Sequence, residues 1–164
     1  MRNHQHCLMT LWLLKKMTSD KPFWQTKMLK EMTAEEWESL CDGCAKCCLH
    51  KLEDDETFAV YYTDVACKYL DEKTCRCKDY DHRNSLVPDC ITLKVEDVHE
   101  FFWLPQTCAY RLIAERKPLP EWHHLVSGSR ETIHEQKKSV IGRIVLESNV
   151  EKKDMQDHVI RWIK

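Results

Sequence analysis

The chain has 164 residues, which is most simply one domain long enough to bury a real core. Its 25 basic and 27 acidic residues nearly cancel and are mixed along the chain, which argues against nucleic acid as a partner and against a polybasic membrane patch. Ten cysteines beside only three glycines point to helices and irregular metal loops more than tight hairpins.

In chain order, residues 7–14 are apolar and follow Arg2, but the stretch is a poor signal peptide. Lys15 and Lys16 follow it at once, no Ala-x-Ala cleavage pattern is present, and a bilayer span needs roughly 20 apolar residues. Residues 1–22 therefore read as a leader, disordered or added by a start placed too early, with Met17 and Met28 as other starts. The chain reads as cytoplasmic, where thiols stay reduced and a cysteine cluster means metal; a secreted disulfide framework is the weaker reading. Residues 23–164 read as a single cysteine-cluster domain, with metal-binding loops over 41–90 and a helical remainder.

Thr33 and Glu36 have the spacing of a capping box, opening a short helix with Trp37 and Leu40 on its apolar side. That helix runs directly into Cys41-Asp42-Gly43-Cys44-Ala45-Lys46-Cys47-Cys48, four cysteines in eight residues. Residues 53–56 form an acidic turn, read as a solvated loop; the ligand spacing and central glycine of an EF-hand are missing. Residues 58–65 are aromatic and β-branched enough for a strand ending at Cys67, and 71–74 form a turn before Cys75. A polar stretch follows to Pro88, which keeps Asp89 and Cys90 out of any helix. Val95, Val98, Phe101 and Phe102 recur at helical spacing up to Pro105, and Thr107 is placed to cap a second helix holding Cys108 and Leu112. Pro118 and Pro120 open a loop to Gly128; a strand is expected over 140–146 and a last helix over 154–163. The expected fold class is α+β, mostly helical with a few short strands and irregular cysteine-rich metal-binding loops.

The chemistry lies in the spacing. Cys-x-x-Cys lets two sulfurs converge on one metal, and a third at Cys47 gives the run used by ferredoxin-type clusters. Cys47 and Cys48 are adjacent, so their side chains diverge in most backbone conformations and serve different metals, different cluster edges, or a ligand and a redox thiol. Cys75 and Cys77 form a weaker local pair. Nine of the ten cysteines fall between positions 41 and 108, a density of metal ligands rather than of isolated core thiols. The candidate ligands are Cys41, Cys44, Cys47, Cys48, Cys67, Cys75, Cys77 and Cys90, holding an iron–sulfur cluster or zinc; spacing does not choose between them, because thiolates suit both. Either centre carries a net charge of about −2 on four thiolates, which Lys46, Lys51, Arg76 and Lys78 would offset. His50 and His82 are weaker ligand candidates where thiols are in surplus. Tyr80 and Arg83 read equally as cluster neighbours or as core and surface residues, and His123-His124 beside Trp122 as a partly buried loop.

Cys41-x-x-Cys44-x-x-Cys47-Cys48, followed by Cys67, Leu70, Cys77, Tyr80, Arg83 and Cys90, resembles the cysteine-cluster domain named for its CxxCxxCC motif. Within it the chain looks most like the YcgN family, through Phe23-Trp24, Trp37-Glu38-Ser39-Leu40, Trp103-Leu104-Pro105, Cys108-Ala109-Tyr110-Arg111-Leu112, Pro118-Leu119-Pro120 and Leu125-Val126-Ser127-Gly128-Ser129. The resemblance covers roughly 23–164 and implies zinc or iron chelation. It departs from the wider domain at Arg83-Asn84, where Arg-Pro is usual, and in extra residues before Cys90. The resemblance makes Cys67, Cys77 and Cys90 the pool for further ligands. Cys75 and Cys108 match only the narrower family, and Cys108 also reads as a buried helical thiol. A related cluster occurs in flagellin lysine methylases, which leaves an enzymatic role open without assigning one. Three classes of function follow: a redox iron–sulfur protein, a structural zinc module facing a protein partner, or a carrier of metal or thiol groups.

Overall fold

A computed structural model describes residues 21–164, so all but two residues of the expected leader, and Cys7 with them, lie outside the described residues. The chain enters through a single helical turn, α1 (Phe23–Thr26), and a 3₁₀ turn over Leu29–Glu31. Helix α2 (Ala34–Ser39) then starts as its sequence requires. The Thr33 hydroxyl accepts from the Glu36 N–H at 3.2 Å, and the Glu36 carboxylate accepts from the Thr33 N–H at 2.8 Å. This capping box satisfies two donors that the first turn would otherwise leave open. Lys27 braces the same carboxylate at 2.6 Å. At the far end Leu40 is completely buried, which fixes the direction in which the chain enters Cys41.

Strands β1 (Leu49–Glu53) and β2 (Val60–Ala66) pair antiparallel, and β3 (Val145–Leu146) adds parallel to the end of β2. The acidic turn is the hairpin connection. Its Asp54 side chain accepts from the amides of Glu56 and Thr57 and from the Thr57 hydroxyl, while Phe58 takes a left-handed conformation at φ 56°. Register is regular from Glu53↔Val60 to Lys51↔Tyr62, then shifts before Leu49↔Ala66. Thr63 fills the irregularity, its hydroxyl donating to the His50 carbonyl at 2.8 Å. The shift bends the end of β1, where the cysteine run joins the sheet.

Beyond the sheet lie α3 (Arg83–Leu86), a long 3₁₀ segment over Val95–Trp103, α4 (Ala109–Ala114), α5 (His124–Ser127), α6 (Thr132–Glu135) and a 3₁₀ segment over Lys152–His158. The fold is thus mixed α+β, and the expectation of a mostly helical chain is corrected. Helix takes 37% and strand 12% of the described residues, and the longest α-helices have six residues. Two expected elements account for the difference. The expected helix over 92–105 is 3₁₀, and the expected last helix stops at His158, because Val159 pairs with Thr63 and the Ile160 N–H donates to the Tyr62 carbonyl at 2.8 Å. Pairing with β2 wins over a helical pattern in Met155, Val159 and Trp162. Of the strand expected over 140–146, only its last two residues pair.

The apolar residues form two clusters. Leu49, Tyr62, Ala66, Leu70, Cys75 and Val140 pack at the sheet, while Leu29, Leu40, Phe101, Leu104, Ala109 and Tyr110 pack among the helices. Leu40 belongs to one and Ala45 to the other, so the run 41–48 crosses from cluster to cluster. Among the described residues no helix is long and apolar enough to cross a membrane.

Candidate metal centre

The cysteine run has a defined backbone. Asp42, itself buried, turns its carboxylate onto the Cys44 N–H at 3.0 Å, and Gly43 takes a left-handed φ of 74° that a side chain would resist. Ala45 is also left-handed, at φ 60°, before a 3₁₀ turn over Lys46–Cys48. Two long-range bonds pin the loop to the sheet region: Val140 N–H to the Cys44 carbonyl and Cys67 N–H to the Cys48 carbonyl, both at 3.1 Å. The nine described cysteines carry free thiols.

Five of those thiols influence one another. The neighbouring Cys48 thiol brings Cys47 down to about 7 against the opposing effect of burial, with the Lys51 ammonium acting in the same direction. Interaction with Cys47 and then burial push Cys48 upward. Burial, then the charges of Cys47 and Asp42, raise Cys41 to about 12, although that residue keeps an exposed face. Burial and the same two charges raise Cys44. Cys108 is also pushed up to about 12, by burial and then by Cys47. It is the N-cap residue of α4 and joins this group from more than fifty residues away. Lys51 supplies the nearby positive charge. Its ammonium donates to the carbonyls of Cys47 and Leu49 at 2.9 and 2.8 Å and lies over the Tyr62 ring at 5.0 Å. Burial lowers its pKa while Cys47 and Cys48 raise it.

A second group adjoins the first. A small turn at Asp71, which accepts from the amides of Lys73 and Thr74, folds the chain back so that Leu70 bridges Cys77. Burial, then neighbouring charges including Cys77, raise Cys67; burial likewise raises Cys90, which feels Cys67, Cys77 and Cys47. Through Cys47 the two groups are neighbours. Cys75 lies apart from both. It is buried in the sheet-side cluster, left-handed at φ 55°, with Ser139 and Val140 against its sulfur. Electrostatic coupling thus links Cys41, Cys44, Cys47, Cys48 and Cys108 in one set and Cys67, Cys77 and Cys90 in another, and Cys75 is coupled to neither. Helix α4 packs on the 3₁₀ segment over Val95–Trp103 and its Tyr110 lies against Trp37 of α2, and no local spacing signals Cys108 as a neighbour of Cys47.

His50 bonds Glu147 at 2.6 Å and His82 bonds Asp79 at 2.7 Å, so both rings already have carboxylate partners. Tyr80 donates to Glu38 at 2.9 Å and is covered by the Arg83 guanidinium at 3.8 Å from its ring. His123 is a core residue: its Nε2 lies 3.0 Å from the Leu40 carbonyl, its Nδ1 accepts from the Leu125 N–H, and burial lowers its pKa. Among the described residues no three His, Cys, Asp or Glu side chains already stand close enough together to hold a metal ion. The donor set nonetheless has the right chemistry, since clustered thiols become ligands by losing protons and turning about χ1, and binding itself drives both.

A half-buried lysine beside the Cys-x-x-Cys-x-x-Cys-Cys run, with five further cysteines after it, defines the class. Residues 40–109 match the CxxCxxCC family, described as "Putative zinc- or iron-chelating domain". The chain is 56% identical to a UPF0260 protein of Vibrio vulnificus, over 85% of this chain and 94% of that one. It is 49% identical to a UPF0260 protein of Cellvibrio japonicus, over 90% of this chain and all of the relative. A UPF0260 protein of Agrobacterium fabrum is 55% identical over 88% and 89% of the two chains. The chain belongs to the UPF0260 family of cysteine-cluster proteins. No solved structure matches it.

Proposed function

We propose that this protein binds zinc or iron through its clustered thiols. Cys41, Cys44, Cys47, Cys48 and Cys108 are the donor pool of one site, and Cys67, Cys77 and Cys90 extend it or begin a second. The observation that carries the reading is the Cys41–Cys48 run itself, four thiols in eight residues with a lysine that two backbone carbonyls hold beside Cys47 and Cys48. Such a cation offsets the negative charge that thiolates accumulate on ligation.

Bound as an iron–sulfur cluster, the metal supplies one-electron chemistry; bound as zinc, it supplies structural order. In either case the chain's own residues do three things. Lys51 balances charge, Tyr62 and Tyr110 shield the sulfurs with rings whose hydroxyls donate to the carbonyls of Trp103 and Trp37, and Asp42 holds the loop between Cys41 and Cys44. The protein is assigned to a reducing compartment on the same chemistry, since free thiols at this density oxidise elsewhere.

Metal analysis of protein purified without oxygen tests the reading. Iron with acid-labile sulfide supports a redox role, and stoichiometric redox-silent zinc supports a structural module that presents its surface to a protein partner. Labile, exchangeable occupancy supports a metal carrier. A protein that binds neither metal at any stoichiometry overturns the proposal.

A further inference from the structure

Away from the cysteines, the helix-side core opens into two adjoining surface depressions. The larger, of about 1070 Å³, lies between residues 24–31 on one side and Ile113 and Leu119 on the other, with Val126 at its edge. The smaller, of about 250 Å³, reaches Trp37 and Leu93. Both are lined by Leu29, Lys30 and Val95, so they join into one elongated groove. Leu29 is buried there, while Met28 and Val126 each remain 48% exposed. Single apolar residues are ordinary on a protein surface, but a continuous apolar groove marks a place where something binds.

The charge along this groove has one predominant sign. Five basic side chains line it against two acidic ones, Glu31 and Glu96. Lys27 and Lys117 are already paired, with Glu36 and Glu115, and the Glu31 carboxylate accepts from the Met28 N–H at 2.8 Å. The other three, Lys30, Lys94 and Arg116, are exposed, and among the described residues none of them makes an ion pair. They are spread over its length: Lys94 lines the smaller depression, Arg116 the larger, and Lys30 both. No cysteine lines either depression, so there is no thiolate in the groove for these charges to offset.

We propose that the groove docks a partner protein through an acidic amphipathic segment, whose apolar side chains cover Leu29, Met28 and Val95 while its carboxylates meet Lys30, Lys94 and Arg116. The larger depression alone matches the upper end of small-molecule sites, roughly 1,000 Å³, and the groove continues beyond it, which suits a polypeptide. Unpaired positive charge at both ends and at the junction selects an acidic one. The chain's own apolar stretch 7–14 is followed by Lys15 and Lys16, of the same sign as the groove. A lipid surface does not enter a concave groove to reach the buried Leu29. Two lining residues belong to helices that lead to cysteines: Trp37 to α2, which runs into Cys41, and Ile113 to α4, which begins at Cys108. The proposal does not depend on which metal the thiols hold, or on their holding one.

The test is fluorescence anisotropy of the full chain, as purified, with a labelled synthetic peptide of about 15 residues that carries leucines at helical spacing and glutamates between them. A second peptide has lysines in place of the glutamates. Saturable binding of the acidic peptide is expected, about tenfold or more tighter than that of the basic one. K30E should weaken the acidic peptide about tenfold and narrow that preference, since it sets like charges against each other at the junction. V126E places a charge at a half-exposed apolar position of the rim and should weaken the acidic peptide by a similar factor. K152E reverses an exposed lysine that lines neither depression, and is expected to leave binding unchanged. No saturable binding of the acidic peptide, or equal losses in K30E and K152E, overturns the groove. The photoreactive amino acid p-benzoylphenylalanine in place of Val126 then identifies the occupant by mass spectrometry. Cross-links to the acidic peptide support the proposal; cross-links only to residues 1–20 of the same chain, or only to a second copy, assign the groove to the protein itself and overturn it.

Discussion

The Lys51 ammonium donates to the carbonyl of Cys47 at 2.9 Å, so a strand residue of β1 folds its side chain back onto the cysteine run that precedes it. The rings of Tyr62 and Trp103 lie 5.0 and 5.4 Å from the same ammonium. A half-buried lysine between two aromatic faces and two carbonyls is held in place, and its charge is focused on Cys47 and Cys48.

Replacing it tests that role. Lys51→Met keeps most of the apolar stem and removes the charge, so the fold is expected to persist while metal leaves several-fold faster under a chelator, because ligated thiolates lose their counter-charge. Far-ultraviolet circular dichroism reports the fold, and release of metal to a chromogenic chelator reports the charge. Equal release rates for the two proteins, at equal secondary structure, would remove Lys51 from the site.

What the sequence made legible was local. The Thr33–Glu36 capping box and the strand before Cys67 both depend on residues a few positions apart, and each is present. The hairpin between β1 and β2 was not foreseen, because its turn uses a left-handed Phe58 and the Asp54 carboxylate where a glycine would have given the signal. The last segment misled by its pattern: Val159 sits at helical spacing from Met155 and Trp162 but is claimed by Thr63. Cys108 and Cys75 show the same limit within the site. Spacing grouped Cys75 with Cys77, yet Cys75 is left-handed and buried in the sheet-side core beside Ser139, while Cys108, at the start of α4, feels the charge of Cys47 from a distant part of the sequence.

Removal of the metal is expected to loosen one part of the chain first. Residues 67–94 hold only the single-turn helix α3 among irregular loops, whereas β1 and β2 are paired along their length. Few buried apolar side chains hold that stretch, so ligation at Cys67, Cys77 and Cys90 is assigned most of its order. Limited proteolysis of reduced, metal-free protein should give early cuts within 67–94, mapped by mass spectrometry. Cuts distributed as in the metal-loaded protein would show that the loops are ordered by packing alone.

Acid should weaken the fold partly through His124. Burial first, then Arg130, hold its folded pKa down to about 4, against roughly 6.5 for an unperturbed histidine. The folded state therefore binds fewer protons than the unfolded state in this window. Stability is fully present above about pH 6.5 and falls as the pH drops toward 4. His124→Phe keeps an aromatic ring against His123 and abolishes this titration. The melting temperature, measured in phosphate-free buffer at about pH 7 and about pH 5, should fall less in the variant than in the parent protein. His123, whose pKa is also lowered by burial, supplies a remaining part of the fall in both. An identical fall in the two proteins would place His124 in water in the folded state.

Three serine substitutions separate ligands from packing. Cys44→Ser removes the middle thiol of the Cys41–Cys47 run and should abolish most bound metal, because a neutral hydroxyl is a poor ligand for zinc or an iron–sulfur cluster. Cys108→Ser removes a thiol that the fold sets beside Cys47, and should cost metal as well, by a smaller margin if another thiol of the first group takes its place. Cys75→Ser should leave metal content unchanged. There the new hydroxyl lies in the sheet-side core with Ser139 as a hydrogen-bond partner, so the expected cost is about 1–2 kcal/mol of stability from burying a more polar group. Metal per chain, measured on all three variants purified without oxygen, gives one axis, and chemical denaturation of the same samples gives the other. Loss of metal in Cys75→Ser as complete as in Cys44→Ser would mean that residues 71–77 rearrange on binding to bring the Cys75 sulfur out of the core. Retention of full occupancy in Cys108→Ser would confine the first site to the run itself and leave Cys108 a packing residue of α4.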